Sequence, residues 1–335
     1  MNKTDDQILI KAEGLSKFYG PVVAVDSIDF TVRRGEILGF LGPNGAGKTT
    51  TMKMLTCFIA PTHGRASIAG HDTLDEPLAV RRSIGYLPED TPLYPGMSVL
   101  EFLTFVGQVR EVPAGKLRSR IKETSKICGL EHVLGRPIGH LSKGFRQRVG
   151  LAQAMLHNPD ILILDEPWTG LDPNQIADVR QLIKELGKDK TVVLSTHILA
   201  EVEAVCDRIL IIDRGRIVAN KLPEELIAEK GRIVYDLTLK AKPARQKELE
   251  KLMQDLPGIE TVETIAAPEN AQAADQLEFN LICRPGSEPG QGAVISRCVE
   301  NNLEILDLNR NASSLEDIFR DLTVGDRVEI GVQAS

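Results

Sequence analysis

Ile37-Leu38-Gly39-Phe40-Leu41, then Gly42-Pro43-Asn44-Gly45-Ala46-Gly47-Lys48-Thr49, then Thr50-Thr51-Met52-Lys53-Met54-Leu55: an apolar run of strand length, a glycine-rich octet and a segment of helix-continuing composition follow one another without a break. The octet fits GxxxxGK[ST]. That pattern arises by chance in roughly one chain in a hundred of this length, so the strand before it and the helix after it carry the assignment. Backbone N–H groups must approach phosphate oxygens closely, and side chains at Gly42, Gly45 and Gly47 would stand in the way. The start of the following helix adds unpaired N–H groups and a partial positive charge. Lys48 supplies a point charge for the outer phosphates, and the Thr49 hydroxyl is a ligand for Mg2+. The stretch predicts a nucleoside-triphosphate site.

A second stretch completes the chemistry. Ile161 to Leu164 is apolar at every position and ends in Asp165-Glu166. Such a run predicts a strand buried on both faces, as in a parallel sheet covered by helices. Its C-terminal end is where an open α/β sheet holds ligands. An Asp there can hold Mg2+ through water, and a neighbouring Glu can orient and deprotonate an attacking water. By themselves the two would read as solvated strand-end carboxylates; the phosphate loop upstream makes them candidates.

Between these stretches, residues from about 97 to 157 read as helical. Ser98 and Glu101 have capping-box spacing ahead of Leu100, Phe102, Leu103 and Phe105. A second helix is expected over Lys116 to Cys128 and a third from Ser142 through Met155. Residues 8 to 32 alternate as strands. Beyond the acidic pair, Pro173 to Leu186 predicts a helix, Thr191 to Ser195 a strand, and Ile209 to Ala219 a hairpin around Asp213-Arg214-Gly215. Residues 223–231 read as a linker, and the pattern then changes. Residues 232–325 follow the strand-helix-strand-strand-helix-strand order of a ferredoxin-like domain, with a polar loop PENAQAAD inside it and a closing helix from Ser314 to Leu322. Residues 326–335 read as a loose tail.

Composition narrows the class. With 335 residues, 42% hydrophobic and 26% charged, two ordinary globular domains are expected. The net charge of -7 gives no electrostatic footprint for nucleic acid. Five scattered cysteines without CxxC spacing argue for free thiols in a reducing compartment and against a metal cluster. The N-terminal MNKTDDQILIKAEG has no apolar signal core, and no stretch approaches 18 consecutive apolar residues. The chain is read as cytoplasmic; if it works at a membrane, another chain supplies the spanning part.

From about residue 8 to 225 the motifs, in order, resemble the nucleotide-binding subunit of an ABC transporter. Gly42 to Thr49 is similar to the Walker A loop, Leu141-Ser142-Lys143-Gly144-Phe145 to the LSGGQ signature, and Asp165-Glu166 to the end of Walker B. Gly170-Leu171-Asp172-Pro173 resembles the D-loop, His197 the switch histidine, and Glu89 stands at the Q-loop position. Tyr19 reads from position alone as a half-buried strand-end aromatic; the resemblance makes it the ring that stacks on adenine. Lys143 and Phe145 replace the Gly and Gln of the signature, Glu89 replaces Gln, and Thr169 replaces the D-loop Ser. The wording LSKGFRQRVGLAQAM and the C-terminal SLEDIFRDLT are similar to ATPases of ABC-2 type exporters, and most of all to those associated with gliding motility.

The resemblance implies a P-loop ABC cassette at 1–222: a parallel sheet core, an antiparallel β subdomain and the inserted helical subdomain, followed by the small α+β domain. It implies ATP and Mg2+ as ligands, with Gly42 to Thr50, Tyr19, Ser142 and Gly144 binding nucleotide and Thr49, Asp165 and Glu89 around the metal. Glu166, Lys48 and His197 would be catalytic, His197 through an Nε2 donor to the γ-phosphate. The partners implied are a second copy, head to tail, and a separate transmembrane permease, which would hold the subunit on the inner face of the membrane. A soluble ABC-type ATPase whose C-terminal domain senses a ligand is the alternative. A P-loop kinase is disfavoured by the signature and D-loop.

Overall fold

The computed structural model describes residues 7–231, 233–265, 276–284, 287–312 and 314–324. The loop PENAQAAD and the tail 326–335 fall outside the described residues. Two long strands, β1 (Ile8–Tyr19) and β2 (Val22–Arg33), precede β3 (Ile37–Leu41) and helix α1 (Lys48–Leu55). Next come β4 (His63–Ile68), the two-residue β5 (His71–Asp72), α2 (Pro77–Ser83) and β6 (Ile84–Leu87). The helices α3 (Val99–Val109), α4 (Ala114–Ile127) and α5 (Lys143–Met155) form the inserted block. The chain then returns through β7 (Ile161–Asp165), α6 (Pro173–Gly187), β8 (Thr191–Thr196), α7 (Leu199–Val205), β9 (Arg208–Asp213) and β10 (Arg216–Lys221).

These strands form two sheets, ordered β2-β1-β4-β5 and β10-β9-β3-β8-β7-β6. The first is antiparallel throughout, and in the second only the β9–β10 edge pairing is antiparallel. Strands β3, β7 and β8 are buried at every position, as continuous apolar runs in a covered parallel sheet should be. One core joins the sheets: Leu15, Ile28 and Phe30 share a cluster with Met52 and Leu55 of α1 and with Ile161, Ile163 and Val193. That core holds α1 under the antiparallel sheet and aims its N-terminus at the ends of β7 and β8.

Local chemistry sets the helix starts. The Ser98 hydroxyl accepts from Glu101 N (3.2 Å), and the Glu101 carboxylate accepts from Ser98 N (2.8 Å), a reciprocal cap. Ser142 caps α5 by accepting from Phe145 N (3.3 Å), and Asp172 caps α6 by accepting from Gln175 N (3.0 Å), with Pro173 in the first turn.

The chain divides between Leu222 and Pro223 into two units. The second begins with α8 (Pro223–Lys230). The linker expected over 223–231 is therefore helical through Lys230: Pro223 opens the helix and Glu224 and Glu225 in its first turn suit the helix dipole. Strands β11 (Ile233–Lys240), β12 (Ile259–Ile265), β13 (Gln276–Cys283) and β14 (Glu304–Ala312) form an antiparallel sheet ordered β12-β13-β11-β14. With α9 (Gln246–Gln254) and α10 (Gln291–Glu300) in the connections, this is the ferredoxin-like order. Its core includes Tyr235, Leu237, Leu249, Phe279 and Val294, and α11 (Leu315–Val324) follows.

The closest backbone approach in the parallel sheet's edge lies where α5 crosses β6: a Cβ on Gly85 would stand 2.1 Å from the Ala154 carbonyl oxygen. Backbone cannot yield as a flexible side chain can. Gly85→Ala should lower stability by about 1–3 kcal/mol, read as a lower urea midpoint by fluorescence of Trp168, the single tryptophan, which is buried. An unchanged midpoint would show that α5 sits farther from β6.

Candidate nucleotide site

The phosphate loop leaves β3 and turns sharply into α1. A Cβ on Gly42 would meet the Ile212 carbonyl oxygen at 2.3 Å, and one on Gly47, at φ 110°, would meet the Ala24 carbonyl oxygen at 2.5 Å. These glycines are required by packing beneath the loop as well as by any ligand above it. Gly42 N donates to Thr196 O (3.3 Å), and Ala46 N donates to Pro43 O (3.2 Å). Buried Ala46 accepts from Gly215 N through its carbonyl (2.9 Å), tying the loop to the β9–β10 turn.

Lys48 opens α1 and is buried, its side chain only 6% exposed. Its ammonium donates to the carbonyl oxygens of Gly42 (2.8 Å) and Pro43 (3.2 Å) and stands 3.5 Å from Glu166 Oε1. Thr49 Oγ1 donates to Asp165 Oδ1 (3.2 Å), and Ser195 Oγ donates to the same oxygen (2.5 Å). Asp165 Oδ2 is buried with no hydrogen-bond partner. Burial first pushes the Asp165 pKa up, the hydrogen bonds from Ser195 and Thr49 oppose this, and the charges of Glu89 and Glu166 add to it.

Glu166 follows in the left-handed region, φ 47°. This backbone is uncommon for a non-glycine residue and is held by Glu166 N donating to Ser195 O (3.2 Å) and Oγ (3.0 Å). Its carboxylate Oε2 lies 3.0 Å from His197 Nδ1 and accepts from the Thr169 hydroxyl at 3.5 Å. With Nδ1–H donating to Glu166, the other ring nitrogen is an acceptor in the neutral imidazole and becomes a donor only when the ring is protonated. Trp168 Nε1 donates to Thr196 Oγ1 (2.8 Å), which in turn accepts from Ile198 N (3.0 Å), so the D-loop entry and the His197 turn share one hydroxyl.

A cavity of about 390 Å3 is lined by Asn44, Gly45, Gly47, Lys48, Thr49, Thr50, Glu89, Glu166, Thr169 and His197, with Ala24 at its wall. Sequence motifs nearly 150 residues apart thus converge on one space. Tyr19, Ser142 and Gly144 do not line it. Tyr19 ends β1 half-exposed, with Lys17 Nζ 5.3 Å from its ring centre. Ser142 is exposed, while Gly144 is buried against Gln175, whose Oε1 would stand 2.5 Å from a Cβ there. The Lys143 side chain covers Gly170, with Nζ only 1.9 Å from where a Cβ would lie, so signature and D-loop are packed together in one chain. Ser195, Thr169 and Trp168 are site residues that motif reading leaves without a role; the strand-end position of Ser195 opposite Asp165 is the signal that could have found it.

The match to the family pattern described as ABC transporter covers residues 25–169. An uncharacterised ABC transporter ATP-binding protein of Bacillus subtilis, YxlF, is 35% identical over 311 residues, 93% of this chain and 98% of that protein. The chain belongs to the ATP-binding subunits of ABC transporters. The bacitracin transport ATP-binding protein BcrA of Bacillus licheniformis is 33% identical over 96% of this chain and 99% of its own length. Among solved structures, the ATP-binding subunit of an ABC transporter aligns with TM-score 0.60 at 33% identity, over 65% of this chain and 91% of the other. A dimeric ATP-binding cassette in a post-hydrolysis state, bound to ADP and Pi, aligns with TM-score 0.59 at 28% identity, over 64% of this chain and 98% of the other. The subunit is therefore an ATPase that takes ATP with Mg2+. Subunits of this family dimerise and work with separate membrane permeases. Among the described residues, no helix is long and apolar enough to cross a membrane.

The donor set suits Mg2+: Thr49 and Glu89 line the cavity, and Asp165, which does not line it, stands directly behind Thr49 through their hydrogen bond, all three offering hard oxygen ligands. Linkage gives a stability test. A carboxylate whose folded pKa is raised binds its proton more tightly when folded, so its contribution to stability falls as pH rises through that value. At neutral pH, without nucleotide, the Asp165 charge is a cost. Asp165→Asn keeps the oxygen that accepts from Thr49 and Ser195 and should raise the unfolding temperature of the nucleotide-free subunit. A lower unfolding temperature would show that the charge is net stabilising.

Proposed function

We propose that two copies of this subunit close head to tail on shared ATP and thereby drive a separate permease, with export as the direction. The observation that supports this most is the separation of the motifs: Lys48, Thr49, Glu166 and His197 line one cavity, whereas Ser142 and Gly144 of the same chain do not. A second copy would bring its Ser142 hydroxyl and Gly144 amide to the open side of that cavity.

In this reading Lys48 exchanges its Gly42 and Pro43 carbonyls for outer phosphate oxygens, and the loop amides from Gly42 to Thr50 cradle the inner ones. Tyr19 stacks on adenine. Thr49, Asp165 and Glu89 hold Mg2+, which neutralises charge on the phosphate oxygens. Glu166 takes a proton from the attacking water. His197, bonded to Glu166 through Nδ1, directs Nε2 to the γ-phosphate and must be protonated to donate there. The γ-phosphate favours the closed dimer by its extra contacts alone. Moving the equilibrium from 1:99 to 99:1 takes about 5.5 kcal/mol, within what several charge-assisted hydrogen bonds per site supply.

Export is favoured because BcrA and the daunorubicin/doxorubicin resistance ATP-binding protein DrrA of Streptomyces peucetius, 33% identical over 94% of this chain, serve drug transport or resistance. The signature and C-terminal wording point more narrowly to the gliding-motility-associated group. The subunit would lie on the cytoplasmic face of the membrane, held by its permease. Residues 89–96 are the proposed docking surface: Tyr94 is half-exposed and stacks edge-on against Phe105 (5.8 Å) at the start of the helical block. Residues 1–222 form the cassette in this scheme and the C-terminal domain is accessory or regulatory.

Glu166→Gln should keep ATP binding, accumulate as a dimer on size exclusion with ATP and Mg2+, and lose at least about 100-fold in kcat. Retained turnover would remove Glu166 from the role of base, and a strictly monomeric variant, even beside its permease, would overturn the closure scheme. Lys48→Ala should lose nucleotide binding; unchanged affinity would count against the site itself.

A further inference from the structure

Like Asp165 Oδ2, the hydroxyl of Tyr86 on β6 is buried without a hydrogen-bond partner among the described residues. The two side chains share one face of the sheet. Tyr86 is in register with Ile163, and Asp165 lies two residues beyond Ile163, so alternation returns it to the same side. The Tyr86 ring packs against the core that contains Ile163 and Val193. Burial, then the negative charges of Asp165 and Glu89, hold the phenol well above its usual pKa. It is a standing hydrogen-bond donor set in the field of two carboxylates.

A buried hydroxyl without a partner is destabilising, and phenylalanine would fill the same space without that cost. Nearby Trp168 shows the ordinary solution, a ring nitrogen matched to Thr196. Asp165 Oδ1 already accepts from Thr49 and Ser195, whereas Oδ2 keeps both lone pairs. One of these can face the metal and the other a donor from below.

We propose that Tyr86 is a positioning residue of the metal site, donating through one bridging water to Asp165 Oδ2 and so fixing the carboxylate that meets Mg2+. Such a water needs two to four polar neighbours, and the Tyr86 hydroxyl and Asp165 Oδ2 supply two. This inference rests on the Mg2+ reading of Asp165 given above.

The test is ATP affinity by calorimetry on the full chain, once with Mg2+ and once with EDTA. For wild type, Mg2+ should tighten binding; a ratio near one would overturn the metal-site reading itself. Tyr86→Phe should lose on the order of ten-fold of that tightening, the scale of lost outer-shell partners, with affinity in EDTA within two-fold of wild type. A full Mg2+ effect in Tyr86→Phe would overturn the inference and leave the site reading standing. Added to Asp165→Asn, the substitution should cost nothing further; a full additional loss would show that Tyr86 does not act through Asp165.

Discussion

The buried contact between Lys48 and Glu166 is the constraint to which the rest of the cassette answers. Each side chain is only 6% exposed, they stand 3.5 Å apart, and both line the same cavity. Removing charges from water is expensive, and a lone buried pair seldom repays it. Here the cost is met locally: two loop carbonyls solvate the ammonium, while His197 and Thr169 share the carboxylate. Those partners follow three strand ends, Gly42 and Pro43 after β3, Thr169 after β7 and His197 after β8, so the pair is tolerable only where these strands finish side by side. The parallel order of these strands and their full burial follow from that requirement as much as from their apolar sequences.

The balance of charge explains why a cation belongs with the nucleotide. Three carboxylates, Asp165, Glu166 and Glu89, act on one another here, and one buried lysine pairs with Glu166. Such a site would repel a polyanion unless something offset the carboxylates. Asp165 carries the imbalance visibly, with its raised pKa and its unpaired oxygen. The same residue is anchored on its other oxygen by Thr49 and Ser195. It is therefore held in place while remaining unsatisfied, which is what a metal ligand needs before its metal arrives.

Much of this was legible in the sequence because it depends on local rules. An apolar run ending in Asp165-Glu166 admits few readings, and GPNGAGKT between a strand and a helix admits fewer. The Ser98–Glu101 cap is visible from spacing alone and is present in the structure. Where the reading failed, the deciding partner lay far along the chain or the signal was ambiguous. Pro223 can end one element or begin another, and only the packing of Leu226 in the second unit makes it a helix start. Helix α2 is seven residues long, too short for periodicity to announce it. Trp168 pairs its ring nitrogen with Thr196, 28 residues away, a partner that no local rule announces. The Tyr86 hydroxyl has no sequence signature at all, since a strand tyrosine is ordinarily just a good β-former.

The unsatisfied features of the site share one direction. Glu166 holds a left-handed backbone, Asp165 an unpaired buried oxygen, and Lys48 donates to backbone carbonyls of its own loop. Each is a cost or a weak contact in the nucleotide-free chain. A ligand that met the Asp165 oxygen or drew Lys48 from its loop carbonyls would offset part of that cost. A ligand shifts a conformational equilibrium only through differential interaction with its states. Strain concentrated where β7 and β8 end, beside the turn that carries the D-loop and the switch histidine, makes that difference large at the elements able to report it. The departures from the common signature act in the same place: Lys143 lies over Gly170, linking the helical block to the D-loop by direct packing within one chain.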